Sequence, residues 1–254
     1  MRRLVYAGLP LLAVTCGCAT YVEVPVETPL QSKIEVTSFR RVLIAGFVVE
    51  PNADTEVELQ SETVRLLQNQ LRAHTKLQVL EPDRPPLLDA LDRAMEGRAP
   101  GHLTAADREQ YKMEGDRILQ DGEFWRKLGE EFQNPLVVSG RMGFEVQNRS
   151  GFEAEERVER VPGTNRNRMV RGNRYLERKA FGLTAEFVFL DGKTGQLLHR
   201  EKFTEEVLYG EEQKVSPLSA YFELMDRLLP NFLGIISPQP VSYTHLTLPT
   251  ILRV

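Results

Sequence analysis

Arg40-Arg41-Val42-Leu43-Ile44-Ala45-Gly46-Phe47-Val48-Val49 decides how this chain folds. From Val42 to Val49 no side chain is charged or polar. An apolar run of that length reads as a β-strand buried on both faces, because a strand with one wet face would alternate. The residues after it, Glu50 to Asp54, hold Pro51, Asn52 and Asp54 and predict a turn. Glu56 to His74 then sets Val57, Val64, Leu67 and Leu71 on one helical face. Lys76 to Glu81 (KLQVLE) alternates as a second strand. A strand–helix–strand unit of this length predicts a parallel pair with a right-handed crossover.

Further along, Pro82 to Pro86 interrupts the pattern, and residues 87–133 read as a charged helical insertion. Thr104 is a good N-cap for a helix over Ala105 to Leu119. Gly122 to Phe132 predicts a second helix, with Phe124, Leu128 and Phe132 on its apolar face. Trp125 falls one residue off that stripe and reads as a partly buried packing residue. Asn134-Pro135 ends the helices, Leu136 to Gly140 is another buried strand, and Arg141 to Asn148 extends it. Phe152 to Val161 reads as an outward strand. Phe181, Leu183, Ala185, Phe187 and Phe189 alternate as one strand face. The turn Asp191-Gly192-Lys193-Thr194-Gly195 leads into a returning strand over Gln196 to Leu208, which makes a hairpin. Ser216-Pro217 opens the last helix. Leu218, Tyr221, Phe222, Met225, Leu228, Leu229 and Phe232 form its stripe, and Pro230 is expected to kink or end it. The order predicts an α/β (α+β) fold, a mixed β-sheet with packed helices, over residues 40–238. No repeat of solenoid period is visible.

Length and composition bound the function. The chain has 254 residues, 41% hydrophobic and 27% charged, which excludes global disorder and a multi-span membrane protein. A formal charge of −4 excludes a basic nucleic-acid binder. Cys16 and Cys18 alone build neither a disulfide framework nor a four-ligand zinc site.

The start of the chain carries an address. Arg2 and Arg3 precede Leu4 to Val14, a run of 11 residues that is apolar apart from Gly8 and Pro10. A spanning helix needs about 20 apolar residues, so this run reads as a secretory signal. Thr15-Cys16-Gly17-Cys18-Ala19 resembles a bacterial lipoprotein signal, with residues 1–17 removed and Cys18 lipidated in preference to Cys16. That resemblance implies a lipidated tether over residues 18–39. Ala19 implies sorting to the outer membrane, facing the periplasm. Taking Arg2 and Arg3 from the 32 basic residues leaves 30 against 36 acidic ones. With Cys16 gone and Cys18 acylated, no free thiol remains, which suits an oxidising compartment. At the other end, residues 239–254 read as a non-native tail. Val241 to Val254 (VSYTHLTLPTILRV) resembles translated adapter sequence; the alternative is an exposed β-strand or disordered tail.

The segments RRVLIAGF, KLQVLE, VVSG and DGKTGQLL together resemble a group of envelope proteins. It holds the amino-terminal domain of the translocation protein TolB, the curli-export lipoprotein CsgG, and lipoproteins that activate penicillin-binding proteins. The resemblance spans roughly Arg40 to Ile236, and the insertion over 87–133 departs from it. It implies a mixed sheet with packed helices and an envelope role, with no activity to carry over.

No chemistry is visible in the residues. His74, His102 and His199 have no partner at metal-ligand spacing. The acid pairs Glu130-Glu131, Glu155-Glu156, Glu205-Glu206 and Glu211-Glu212 read as solvated surface, because neighbours on a strand face opposite ways. There is no phosphate loop and no Gly-x-Ser-x-Gly elbow. No cofactor, no metal and no enzymatic activity are expected. The odd segment is a basic hairpin within residues 141–180. Arg166, Arg168, Arg171 and Arg174 lie at its centre and are the candidate anion- or partner-binding residues, since guanidinium suits phosphate and carboxylate. Their expected ligands are anionic lipid, lipopolysaccharide phosphate, a wall polymer or an acidic envelope partner. The leading expectation is a lipid-anchored, non-enzymatic interaction or scaffold module of the cell envelope. The alternative is an oligomeric secretion channel of the curli-export type, against whose lipid-facing wall the arginine density argues. An envelope hydrolase would need a nucleophile–base set that the sequence does not offer.

Overall fold

The computed structural model describes residues 26–49, 59–95, 104–160, 162–163, 166–210 and 212–243. The signal segment, Cys18, the first part of the tether, His102 and residues 244–254 lie outside the described residues.

Two short strands, β1 (Val26–Leu30) and β9 (Gln239–Tyr243), form a two-stranded sheet of their own, in a unit separate from the main domain.

The main domain is organised by β2 (Arg41–Val49), in which every residue from Val42 to Val48 is buried. It lies between two parallel partners. β3 (Gln78–Leu80) pairs from Arg41↔Gln78 to Leu43↔Leu80, a shorter strand than KLQVLE suggests. β4 (Leu136–Asn148) pairs from Val42↔Leu136 to Val49↔Met142. β4 then meets β7 (Arg178–Asp191) antiparallel, and β7 meets β8 (Leu197–Gly210) the same way. The sheet order is β3-β2-β4-β7-β8, so the expected mixed α/β architecture is what the chain forms.

One sheet face, with Val42, Ile44, Phe47, Val138 and Phe187, packs against α1 (Leu59–His74) and α5 (Pro217–Ile236). The other, with Leu43, Ala45, Val48, Val137 and Val188, packs against α2 (Pro86–Ala94), α3 (Ala105–Gln120) and α4 (Gly122–Glu131). The described part of residues 87–133 forms this second helical layer. It supplies Leu87, Leu91, Ile118, Leu119 and Leu128, without which half of β2 would face water. Ala45 forms a bulge: Ile44 pairs with Val138 and Gly46 with Ser139, leaving Ala45 unpaired on that side. The extra residue switches the alternation, so Ile44 and Phe47 share a face although three positions apart. The Ser139 hydroxyl donates to the Gly46 carbonyl at 2.9 Å and pins the bulge.

Local signals behave as chemistry requires. The Thr104 hydroxyl accepts from the Asp107 N–H while the Asp107 carboxylate accepts from the Thr104 N–H, a capping box. The Ser216 hydroxyl accepts from the Ser219 N–H at 3.1 Å. One expectation needs correction and one is narrowed. Trp125 is wholly buried, while Phe124 and Phe132 are only half-buried, because α4 turns the Trp125–Leu128–Gly129 stripe toward the sheet. Pro230 does not end the last helix, which runs on to Ile236. Pro230 and Asp226 are both exposed, so the carbonyl that loses its N–H partner faces water. Phe232, Leu233, Ile235 and Ile236 beyond it are buried and hold the last turns in place. The two helices of the first face are tied by a buried 2.6 Å hydrogen bond between Thr63 and Tyr221; burial pushes the Tyr221 hydroxyl up to about 12.

Candidate interaction surface

β4 and β7 are longer than the core requires. β2 accompanies β4 no further than Met142, yet the β4–β7 ladder continues from Phe144↔Leu183 to Asn148↔Lys179. The Arg149 N–H then donates to the Arg178 carbonyl at 2.8 Å. From there β5 (Gly151–Arg160) and β6 (Asn167–Leu176) carry the ribbon on, paired from Gly151↔Leu176 to Arg160↔Asn167. At about 3.3 Å per residue this arm is roughly 30 Å long. Among the described strands β5 and β6 pair only with each other, so both edges of the arm are open.

Strand side chains alternate, and the register sorts them into two unlike faces. One face carries Phe152, Ala154, Glu156 and Val158 of β5 opposite Tyr175, Asn173, Arg171 and Met169 of β6. The other carries Glu153, Glu155, Arg157 and Glu159 opposite Arg174, Gly172, Val170 and Arg168. On the first face Phe152 is 76% exposed, Met169 68%, Val158 61% and Tyr175 52%. The Phe152 and Tyr175 rings meet edge-on with centroids 5.2 Å apart. Four large apolar groups left this open along one face form a patch of the kind that marks an interaction site.

The arginines singled out in the sequence are divided by this geometry. Arg168 and Arg174 share the charged face, opposite Glu159 and Glu153. Arg171 is on the apolar face, where its Nε lies 2.6 Å from Glu156 Oε1. Arg166 precedes β6 at the turn. The four do not converge on one point, and acids stand between them. Further pairs lace the arm: Arg157–Glu159 at 2.8 Å, Arg178–Glu153 at 2.9 Å and, at its base, Arg149–Glu206 at 3.1 Å. What the sequence reading missed is the apolar face. Its signal was present in the spacing Phe152–Ala154 and Met169–Tyr175, but only the register shows that these residues share a side.

A second feature is a shallow groove of about 470 Å³ where the sheet runs past the second helical layer, floored by Gly143, Gly182 and Thr184. Arg141 stands at its end, 2.6 Å from Asp116 and 3.7 Å from Glu186, and Arg200 reaches Glu186 at 3.6 Å. These are balanced ion pairs, two arginines against two acids. Elsewhere, burial alone would raise the Glu201 carboxyl, but hydrogen bonds from His199 (3.0 Å) and Lys33 overcome it and hold Glu201 below its usual range. Among the described residues no three His, Cys, Asp or Glu side chains are grouped to hold a metal ion. No described helix is long and apolar enough to cross a membrane. The Asp191–Gly195 turn is structural: Asp191 accepts from the Lys193 N–H and the Thr194 hydroxyl, and a Cβ on Gly129 would lie 1.7 Å from the Gly192 carbonyl.

No known protein family matches the chain, and no curated protein matches it either. Among solved structures it is similar to the crystal structure of the lipoprotein GNA1162 from Neisseria meningitidis. That likeness has 12% identity and a TM-score of 0.34, over 76% of this chain and 98% of the other. At that TM-score it carries no argument about this chain.

Proposed function

We propose that the chain is a lipid-anchored, non-enzymatic protein of the bacterial cell envelope, acting as a periplasmic interaction module in envelope assembly. The observation that carries the reading is the β-ribbon, an arm that adds little to the core and presents an open apolar face and two open edges. The amino-terminal signal pattern ending in Cys18 supplies the location. Lipid on Cys18 would hold the domain at a bilayer, each buried CH₂ adding about 0.8 kcal/mol. Ala19 favours the outer membrane. The arm suits an envelope partner protein, and its arginines suit anionic lipid or a wall polymer.

The alternation of the arm supports a second reading, a subunit of an oligomeric secretion channel of the curli-export type. The arginine density that spoke against it in sequence is mostly on the charged face. Two features still weigh against a lipid-facing wall. The apolar stretch from Phe152 to Val158 spans roughly 20 Å at 3.3 Å per residue, against the roughly 25 Å band of an outer-membrane barrel. The Glu156–Arg171 ion pair also lies inside it.

Cys18→Ser in the full-length chain, expressed in a bacterium with lipoprotein processing, tests the anchor. The wild-type chain is expected in the membrane pellet and the variant in the soluble periplasmic fraction. An unchanged pellet fraction for Cys18→Ser would contradict the anchor.

A further inference from the structure

We propose that the corner where the arm leaves the domain is a binding site for an anionic amphiphile, a single alkyl chain ending in a carboxylate or a phosphate. The cavity there measures about 870 Å³, within the roughly 300–1,000 Å³ in which proteins hold small organic molecules. Three parts of the chain enclose it. Ser150 and Tyr175 come from the foot of the arm, Phe181 and Tyr209 from β7 and β8, and Val215 and Ser216 from the approach to α5.

The site divides into an apolar floor and a basic rim. Phe181 is buried in the core that meets α1 and α5, and Tyr209 and Val215 pack against that core. The Phe181 and Tyr209 rings meet edge-on with centroids 5.7 Å apart. The Tyr209 hydroxyl donates to Glu223, which pairs with Arg227 at 2.5 Å. That hydroxyl is committed, so what Tyr209 offers the cavity is its ring. Tyr175, half of it exposed, extends the floor onto the arm. Around the floor stand Arg178, Lys179 and Lys214, with Glu177 as the one acid of the described lining. Arg178 is held by Glu153 at 2.9 Å. Among the described residues Lys179 and Lys214 pair with no acid. Three cations against one acid is a local excess on a chain whose net charge is −4. Two lysines without a carboxylate, beside an apolar floor, complement a ligand with an anionic end and an apolar body. An ammonium is a point charge that takes a carboxylate or a phosphate alike. The site uses none of Arg166, Arg168, Arg171 and Arg174 and does not depend on lipid at Cys18, so either idea can fail without the other.

The test is photolabelling of the full-length, detergent-extracted protein with a palmitic acid that carries a diazirine on its chain, followed by peptide mapping. Dodecyl maltoside is the detergent, so a chain with a neutral head is present throughout. The label is expected around Tyr175 and from Tyr209 to Ser216. An excess of laurate or of dodecyl phosphate is expected to displace it. Dodecyltrimethylammonium, a chain without an anion, and inorganic phosphate, an anion without a chain, are expected to leave it in place. Lys179→Glu together with Lys214→Glu is expected to lower the labelling about tenfold, the worth of one hydrogen bond to a charged group. Lys127→Glu together with Lys193→Glu makes the same change of net charge outside the cavity lining and is expected to keep the wild-type labelling. Label spread along the arm from Phe152 to Val158 would overturn the site and leave a lipid surface in its place. So would displacement by the cationic amphiphile, or equal labelling of the two lysine variants. The displacement series uses the wild type alone, so it decides the matter even where a variant does not fold.

Discussion

Gly140→Ala is expected to cost about 4 kcal/mol or more, a large part of the roughly 5–15 kcal/mol by which a domain is stable. Gly140 lies at φ +147, in the middle of the ladder that joins β4 to β7. A Cβ there would stand 1.8 Å from the Glu186 carbonyl oxygen and 2.9 Å from its carbon. Both are backbone atoms of the neighbouring strand, so relief means parting the two strands on which the core and the arm depend. The backbone angle adds strain of its own for any residue with a Cβ. Gly172→Ala is the control, because a Cβ at Gly172 meets nothing within 4 Å. Urea unfolding followed by fluorescence reads both, since the chain has a single tryptophan, Trp125, and it is wholly buried. A loss below about 1 kcal/mol for Gly140→Ala would contradict the strand packing described above.

Phe187→Ala is expected to cost about 3–5 kcal/mol, toward the upper end. Phe187 is fully buried, on the face of β7 that meets α5. Its ring stands 4.8 Å from Phe232, 5.8 Å from Phe47 and 6.1 Å from Phe203, between centroids. Those rings are held by α5, β2 and β8, three elements that cannot close in together to fill a void. Phe187→Leu keeps most of the volume and is expected to cost less than about 1.5 kcal/mol. Phe152→Ala, by contrast, removes a ring that is 76% exposed, and is expected to move the unfolding midpoint by no more than about 0.5 kcal/mol equivalent. A Phe187→Ala cost similar to that of Phe152→Ala would place Phe187 outside the core.

The elements legible in the sequence were those whose residues speak locally. Val42 to Val49 has no polar alternative to a doubly buried strand. The Asp191–Gly195 turn is flanked by clean alternation, and Ser216-Pro217 marks a helix start by its own chemistry. The positions without a local signal depend on distant partners. The Ala45 bulge has no local signal; it exists because Ile44 and Phe47 must both reach α1 and α5. Trp125 is rotated inward by the sheet beneath α4. Pro230 is tolerated because its turn faces water, which a single-helix pattern does not reveal. The second helical layer has a weak signature in the sequence because α3 is charged almost all round; among its described residues the buried apolar side chains of the core are Tyr111, Ile118 and Leu119. In the arm, the arginines were visible and the apolar face was not. Glu156–Arg171 interrupts it, and the register that aligns Phe152 with Tyr175 comes from the β4–β7 ladder below.

On the function proposed above, lipid on Cys18 holds this domain at a membrane. The intact mass of the full-length chain, expressed in a bacterium with lipoprotein processing and extracted from its membranes, tests that most directly. The expected chain begins at Cys18, lacks Met1 to Gly17 and carries the added mass of acyl chains on its first residue. A chain that keeps Met1, or begins at another residue with no acyl adduct, would contradict it.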